Sequence, residues 1–289
     1  MALVNIVDSH LISRRMPSLW AFLIPAGTLH LIFGLVVLGI EPFPCGVEAF
    51  PWGIAVFSAF TRTAAVFLML YAMRTEEISR IIPVVYAHPV FVAILAVPLL
   101  DETLSSLQWV AIFMTVAGAM LISARRSESG HGARLRRSFL LLLSASLLFG
   151  VANTATKYAL DYITFWNMYS LNALCFGIFF WLVSARPSVF RELRDIKDRG
   201  FILKLIAFNE TISFTGIVLS FWAMEKGPIS LVTTIMGTRP FFVFLYALAL
   251  GLFFPAVLGE RFSRGIIAIK IVSTALIVGG IALINLAVD

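Results

Sequence analysis

Nine apolar runs, each long enough to cross a lipid bilayer as a helix, dominate this chain. They cover residues 20–40, 50–72, 80–100, 107–123, 138–157, 165–184, 202–223, 230–255 and 266–286. A hydrocarbon core about 30 Å thick needs roughly 20 helical residues to span it. Lipid offers no hydrogen-bond partners, so only helices or closed barrels satisfy their backbone there. A barrel would show strands of about ten alternating residues, and no such alternation is present. The chain is therefore expected to be an all-α polytopic membrane protein. Composition agrees: 60% of residues are hydrophobic and 13% charged, against about 45–50% and about 25% for soluble domains.

The net charge of +6 does not point to nucleic acid, because the basic residues sit in short segments between apolar runs. Arg14, Arg15, Arg74, Arg80, Arg125, Arg126, Arg134, Arg136 and Arg137 fall on one side, with Arg186, Arg191, Arg194, Lys197, Arg199, Lys204, Arg261 and Arg264. Lys157 and Lys226 fall on the other, and Arg62, Arg239 and Lys270 lie within runs. The positive-inside rule then places residues 73–80, 124–137, 185–201 and 256–265 in the cytoplasm. It leaves Glu41, Glu48, Asp101, Glu102 and Asp161 outside, with the N-terminus inside and the C-terminus outside. Cys45 and Cys175 have neither metal nor redox spacing, and residues 1–19 do not read as a secretory signal.

The halves of the chain repeat each other. Tyr71-Ala72-Met73 through Ile78-Ser79 matches Trp222-Ala223-Met224 through Ile229-Ser230. At the same offset His88-Pro89-Val90-Phe91-Val92 meets Arg239-Pro240-Phe241-Phe242-Val243. Asp101-Glu102-Thr103-Leu104-Ser105 then answers Gly259-Glu260-Arg261-Phe262-Ser263, and Val116-Ala117-Gly118 answers Val278-Gly279-Gly280. Matching units fall on opposite membrane sides, so the expected architecture is two inverted repeats, 1–123 and 138–289, joined by the basic connection 124–137. Inverted repeats with a site near the midplane are characteristic of secondary transporters.

This arrangement of a proline within a span, a Glu at a short turn and a Gly-rich closing helix resembles the EamA-type repeat of the drug/metabolite transporter superfamily. Pro83, Pro89, Glu102, Gln108 and Gly118 carry the resemblance in the first half, and Pro240, Glu260, Gly279 and Gly280 in the second. Leu147-Leu148-Phe149-Gly150 through Lys157 is similar to the opening helix of that repeat. The resemblance implies five helices per repeat, ten in all. The second half supplies five and the first four, with Val4-Asn5 standing opposite Ala152-Asn153 as if closing a missing helix. It also implies cytoplasmic termini, whereas the charge pattern puts the C-terminus outside.

Charges within spans cost roughly 2.5–3.5 kcal/mol each on insertion scales and need a reason. Arg62, His88, Glu210 and Arg239 are the candidates for a polar substrate cavity, with Asn153 and Asn209 as neutral contributors. The structural alternative is an ion pair of Glu210 with Arg62 or Arg239. Asn153, Asn167, Asn172 and Asn209 suit interhelical hydrogen bonding at least as well. Trp166, Tyr169, Tyr71 and Trp222 are expected as interfacial anchors. Lys270 is expected to snorkel, and Glu102 and Glu260 to serve helix N-termini. His88 is the central group suited to titration near neutrality, and His30 stands isolated. No catalytic or metal-ligating pattern and no phosphate-binding loop is present, so neither a cofactor nor ATP is expected.

The sequence thus predicts a non-ATP secondary transporter of a small metabolite in the plasma membrane, an exporter or exchanger. Two arginines against one glutamate favour an anionic substrate. The alternatives are a membrane-embedded protein processing a lipid carrier, or a truncated, non-transporting fragment. The orientation is directly testable. In a chain lacking Cys45 and Cys175, Ser129→Cys and Asp195→Cys should each resist an impermeant thiol reagent on intact cells and react after permeabilisation. Labelling of both from outside reverses the topology.

Overall fold

The computed structural model describes residues 1–76, 78–121, 132–243, 245–246, 272–273, 275–280 and 282–283. Helices α1 (Ala2–His10), α2 (Leu19–Ile40), α3 (Ala49–Ala72), α4 (Ile78–Val85), α5 (His88–Leu99) and α6 (Ser106–Leu121) occupy the first half. The second holds α7 (Gly132–Leu160), α8 (Phe165–Ser184), α9 (Pro187–Arg194), α10 (Arg199–Lys226) and α11 (Ile229–Met236). A π-helical turn, Leu11–Arg15, follows α1. No strand occurs among the described residues.

Among the described residues, six segments are long and apolar enough to cross a membrane: Leu19–Ile40, Ala49–Ala72, Ile81–Leu99, Ser138–Leu160, Phe165–Ser184 and Arg199–Lys226. Ser106–Leu121 and Ile229–Val243 are shorter apolar helices, where the sequence suggested the spans 107–123 and 230–255. The described parts of the last run are helical. Their outward faces carry Ile32, Leu35, Val36, Phe57, Phe60 and Leu182, all exposed. Water would penalise so much contiguous apolar surface, whereas lipid does not. The chain is a polytopic helical membrane protein.

Two compact units form. Unit one contains Met1, Leu3–Thr75 and Val151–Gly227, and unit two contains Ala2, Glu76–Gly150 and Pro228–Asp289. Each draws on both halves of the sequence.

In unit one, α2 and α8 form the principal packing pair. Their approach rests on absent side chains: a Cβ on Gly177 would collide with Leu31 and the Gly27 carbonyl, and one on Gly27 with Phe180 Cβ. Small residues allow such close approach between membrane helices, where hydrophobic attraction is missing. Ser18 caps α2 by accepting from the Ala21 amide at 3.1 Å, and its hydroxyl donates to Glu192 on α9. Thr164 caps α8 through the Asn167 amide at 3.2 Å. Asn167 in turn donates to the carbonyls of Glu41 at 3.0 Å and Pro42 at 3.2 Å, a purely connective role.

In unit two, the third apolar run is interrupted. α4 ends at Val85 and α5 begins at His88, with Pro89 in its first turn, where a missing amide is harmless. α11 is interrupted likewise at Gly237-Thr238 before helix resumes over 239–243. The glycine-marked closing segments also meet. A Cβ on Gly118 would strike the Ser273 carbonyl and Ile277, and one on Gly280 would strike Thr115 and the Ala111 carbonyl.

Glu102 does serve a helix N-terminus, but not that of the helix that follows it. Its carboxylate accepts from the Ile229 amide and from the Ser230 amide and hydroxyl, capping α11. α6 is closed by a capping box of its own: the Gln108 amide donates to Ser105 Oγ at 3.3 Å and the Ser105 amide to Gln108 Oε1 at 2.9 Å. The local cap leaves the Glu102 carboxylate available for the distant helix. Glu260 and Lys270 lie outside the described residues.

Gly177→Val should destabilise the folded protein by about 1–3 kcal/mol through overpacking. Gly53 has open space around its Cβ position, so Gly53→Ala should be neutral or raise stability by up to about 1 kcal/mol. Thermal unfolding in one detergent compares them. Equal midpoints for both variants would contradict the packing account.

Candidate functional site

Among the described residues, three polar clusters lie between helices, two in unit one and one in unit two. The first joins α3 to the C-terminal part of α7. Ser58 and Arg62 are four residues apart and so share a face of α3. Arg62 Nη2 donates to Thr156 Oγ1 at 2.9 Å, and the Thr156 and Ser58 hydroxyls are 2.6 Å apart. Ser58 donates to the Ala152 carbonyl at 2.9 Å, so Thr156 must donate to Ser58. The result is a directed chain from guanidinium to hydroxyl to hydroxyl to carbonyl, in which each bond polarises the next. The Arg62 guanidinium also lies 4.9 Å from the centroid of the Phe221 ring, a cation–π placement that suits a charge away from bulk water. Asn153, beside this chain on α7, is 2% exposed, and its Oδ1 has no partner among the described residues.

The second cluster joins α1, α2, α8 and α10. Asn209 Nδ2 donates to Asp8 Oδ1 at 2.7 Å, and Glu210 Oε2 lies 3.4 Å from His30 Nε2. Asp8, His30, Asn209 and Glu210 are all buried. Asp8 lies within electrostatic reach of Glu210, and so does the phenol of Tyr169. His30 stacks on Phe176 with ring centroids 5.2 Å apart. His30 Nδ1, the Tyr169 hydroxyl and Asn172 Oδ1 have no partner among the described residues. Asn172 spends its amide hydrogen on the Met168 carbonyl of its own helix, at 2.9 Å.

The third cluster surrounds the helix interruptions of unit two. Arg239 Nη1 donates to the Tyr86 hydroxyl at 2.6 Å, and its guanidinium stands 4.8 Å above the same ring. The His88 ring lies 5.7 Å from Tyr86 and 5.8 Å from Phe149. Its Nδ1 is 3.2 Å from the Val85 carbonyl, one of the acceptors that the end of α4 leaves free. Gly237 faces Pro89 and the Tyr86 carbonyl, so the two interruptions pack directly on each other.

Six site residues were expected from sequence. Arg62 lies in the first cluster with Asn153 next to that cluster's Ala152 in sequence on α7, Asn209 and Glu210 lie in the second, and His88 and Arg239 both face Tyr86 in the third. Two expectations need correction. His30 is not isolated, because it faces Glu210. Tyr169 is no interfacial anchor: it is 1% exposed, whereas Tyr71 and Trp222 are about half exposed as anchors require. Asp8, Tyr86, Ser58 and Thr156 were missed. The available signal was weak, since Asp8 precedes any recognisable span and Tyr86 reads as one more aromatic beside a proline.

Residues 1–124 match the model of the EamA-like transporter family. A solved crystal structure shares the fold over 99% of this chain and 95% of its own, with a TM-score of 0.68 and 19% identity. It is among 25 solved chains that match. No curated protein matches.

The Arg239–Tyr86 contact lends itself to a double-mutant cycle. Tyr86→Phe and Arg239→Gln, singly and together, should show a coupling of about 0.5–3 kcal/mol in unfolding free energy. Strict additivity would mean that the contact contributes nothing.

Proposed function

We propose that this protein is a secondary transporter of a small anionic metabolite, an exporter or exchanger of the plasma membrane built from two inverted repeats. The observation that carries the reading is the meeting of two interrupted helices. Transporters with inverted repeats bind substrate where discontinuous helices converge, and helix ends there present free backbone groups to charged ligands. Here the interruptions fall at Tyr86-Ala87 and Gly237-Thr238, positions equivalent in the repeat. Gly118 and Gly280, also near-equivalent, bring the closing helices together. The divisions after Thr75 and Gly227 that bound the compact units follow the repeat to within a residue.

The anionic preference rests on Arg62 and Arg239. Arg239 uses a phenol, a neutral partner, and Arg62 uses a hydroxyl and a phenyl face. A guanidinium presents its donors in a fixed fork. Carboxylates and phosphates fit such a fork with two parallel hydrogen bonds.

Reconstituted vesicles loaded in turn with organic acids, sugar phosphates and amino acids test this. Arg62→Gln and Arg239→Gln should each lower exchange of the responding anion at least tenfold while the purified protein stays monodisperse. Arg62→Lys should recover only part, since an ammonium keeps the charge but lacks the fork. Full exchange in both Gln variants, or a response confined to neutral substrates, refutes the anion reading.

A further inference from the structure

We propose that the polar pocket of unit one where α2 and α10 begin is a lipid-headgroup site, built for the phosphate and primary ammonium of an ethanolamine phospholipid. It stands apart from the interior clusters and does not depend on what the spans carry.

The pocket has a volume of about 880 Å³, within the roughly 300–1,000 Å³ of small-molecule sites. Its walls come from the residues that lead into α2, from α9 and the bend after it, and from Ile202 at the start of α10. α2 begins at Leu19, α8 ends at Ser184 and α10 begins at Arg199, so the pocket lies where these spans leave the hydrocarbon together. α9 is fixed at that boundary. Its Val189 and Leu193 are buried, and its Glu192 accepts from the Ser18 hydroxyl that caps α2. Phe190 stays exposed, and Arg186 stands 5.8 Å from the centroid of the Trp20 ring. Tryptophan and a long basic side chain at the end of a span are the groups that settle at headgroup depth.

Charge defines the occupant. Arg14, Arg15, Arg191 and Lys197 line the pocket, all of them exposed. Arg14 and Lys197 have no protein partner among the described residues. Arg15 commits its Nε to His10 Nε2 at 3.3 Å, and Arg191 its Nε to the Pro187 carbonyl at 3.5 Å. The Nη groups of both remain for a phosphate, which guanidinium forks hold through parallel hydrogen bonds. Carboxylates share the lining, so a purely anionic ligand meets repulsion there. Asp195 is paired with Arg194 at 3.4 Å, and Glu192 is engaged with Ser18. Asp198, at the bend into α10 with a φ of 57°, has no side-chain partner among the described residues. A phosphate on the cations and an ammonium on Asp198 satisfy both signs at once. A choline headgroup carries the same charges but has no N–H to donate to a carboxylate. A glycerol headgroup has no cation, and a serine headgroup adds a carboxylate that Glu192 and Asp198 oppose. Ethanolamine fits the lining best.

Native mass spectrometry of the purified, delipidated protein, with lipids of one acyl composition, tests the site. The wild type should hold the ethanolamine lipid roughly tenfold more tightly than the choline or glycerol lipid, the scale of one charged hydrogen bond. Arg191→Gln combined with Lys197→Gln should weaken ethanolamine-lipid binding by about tenfold or more. Asp198→Asn keeps a residue that tolerates the left-handed bend and should erase the preference for ethanolamine over choline. Lys204→Gln, which removes an exposed cation of α10 outside the lining, should change neither. Water-soluble glycerophosphoethanolamine separates the two sources of this chemistry, and should bind far more weakly than the whole lipid. Equal retention of ethanolamine and choline lipids by the wild type overturns the proposal without recourse to a variant. Preference for the glycerol lipid overturns the ammonium half of the site. Equal losses in Lys204→Gln and the double variant reduce the effect to general surface charge and overturn the pocket as its seat. Soluble headgroup bound as tightly as lipid overturns the lipid as its source.

Discussion

Inside a bilayer nothing but the protein can satisfy a polar group, and most of this structure follows from that constraint. It makes the described spans helical, since a helix meets its own backbone requirements. It also turns helix ends into the critical points, because four donors and four acceptors are left over at each end. The chain answers with side chains borrowed from a distance. Glu102 reaches the amides of Ile229 and Ser230, and Asn167 reaches the carbonyls of Glu41 and Pro42. In water such orphan groups would be solvated and these contacts would add little. Where water is scarce, leaving them unmade is the costly alternative.

The same constraint removes the usual reason for helices to associate, because lipid tails solvate leucine as well as protein does. Association must come from shape. Gly27 with Gly177 in unit one, and Gly118 and Gly280 in unit two, mark where backbones approach within the radius of a missing methyl group. Close contact of this kind gathers dispersion over many atom pairs.

How far the sequence revealed all this depends on the kind of signal. Spans were legible because a bilayer imposes length and apolarity on a single stretch of chain. Six of the nine runs emerge as helices of sufficient length, with ends within a few residues of expectation. The interruptions were legible through Pro89 and Pro240, whose missing amides mark them. Short α9 and the onset of α7 at Gly132 were not, because amphipathic and basic stretches read equally well as loop. Partners were least legible. His30 and Glu210 are 180 positions apart in sequence and lie together only because α2 and α10 pack. Tyr86 gave no hint that its hydroxyl would hold Arg239.

The two unit-one clusters use one principle in opposite ways. Arg62 is a charge that cannot lose its proton, so the fold supplies it with a hydroxyl chain and an aromatic face and thereby keeps a cation at depth. Asp8 and Glu210 are acids that can lose or keep a proton, and the fold buries them beside Asn209 and His30. Neutral glue could have joined these helices at lower cost, as Asn167 does elsewhere. The retention of ionisable groups on α1, α3 and α10 therefore asks for an explanation beyond assembly.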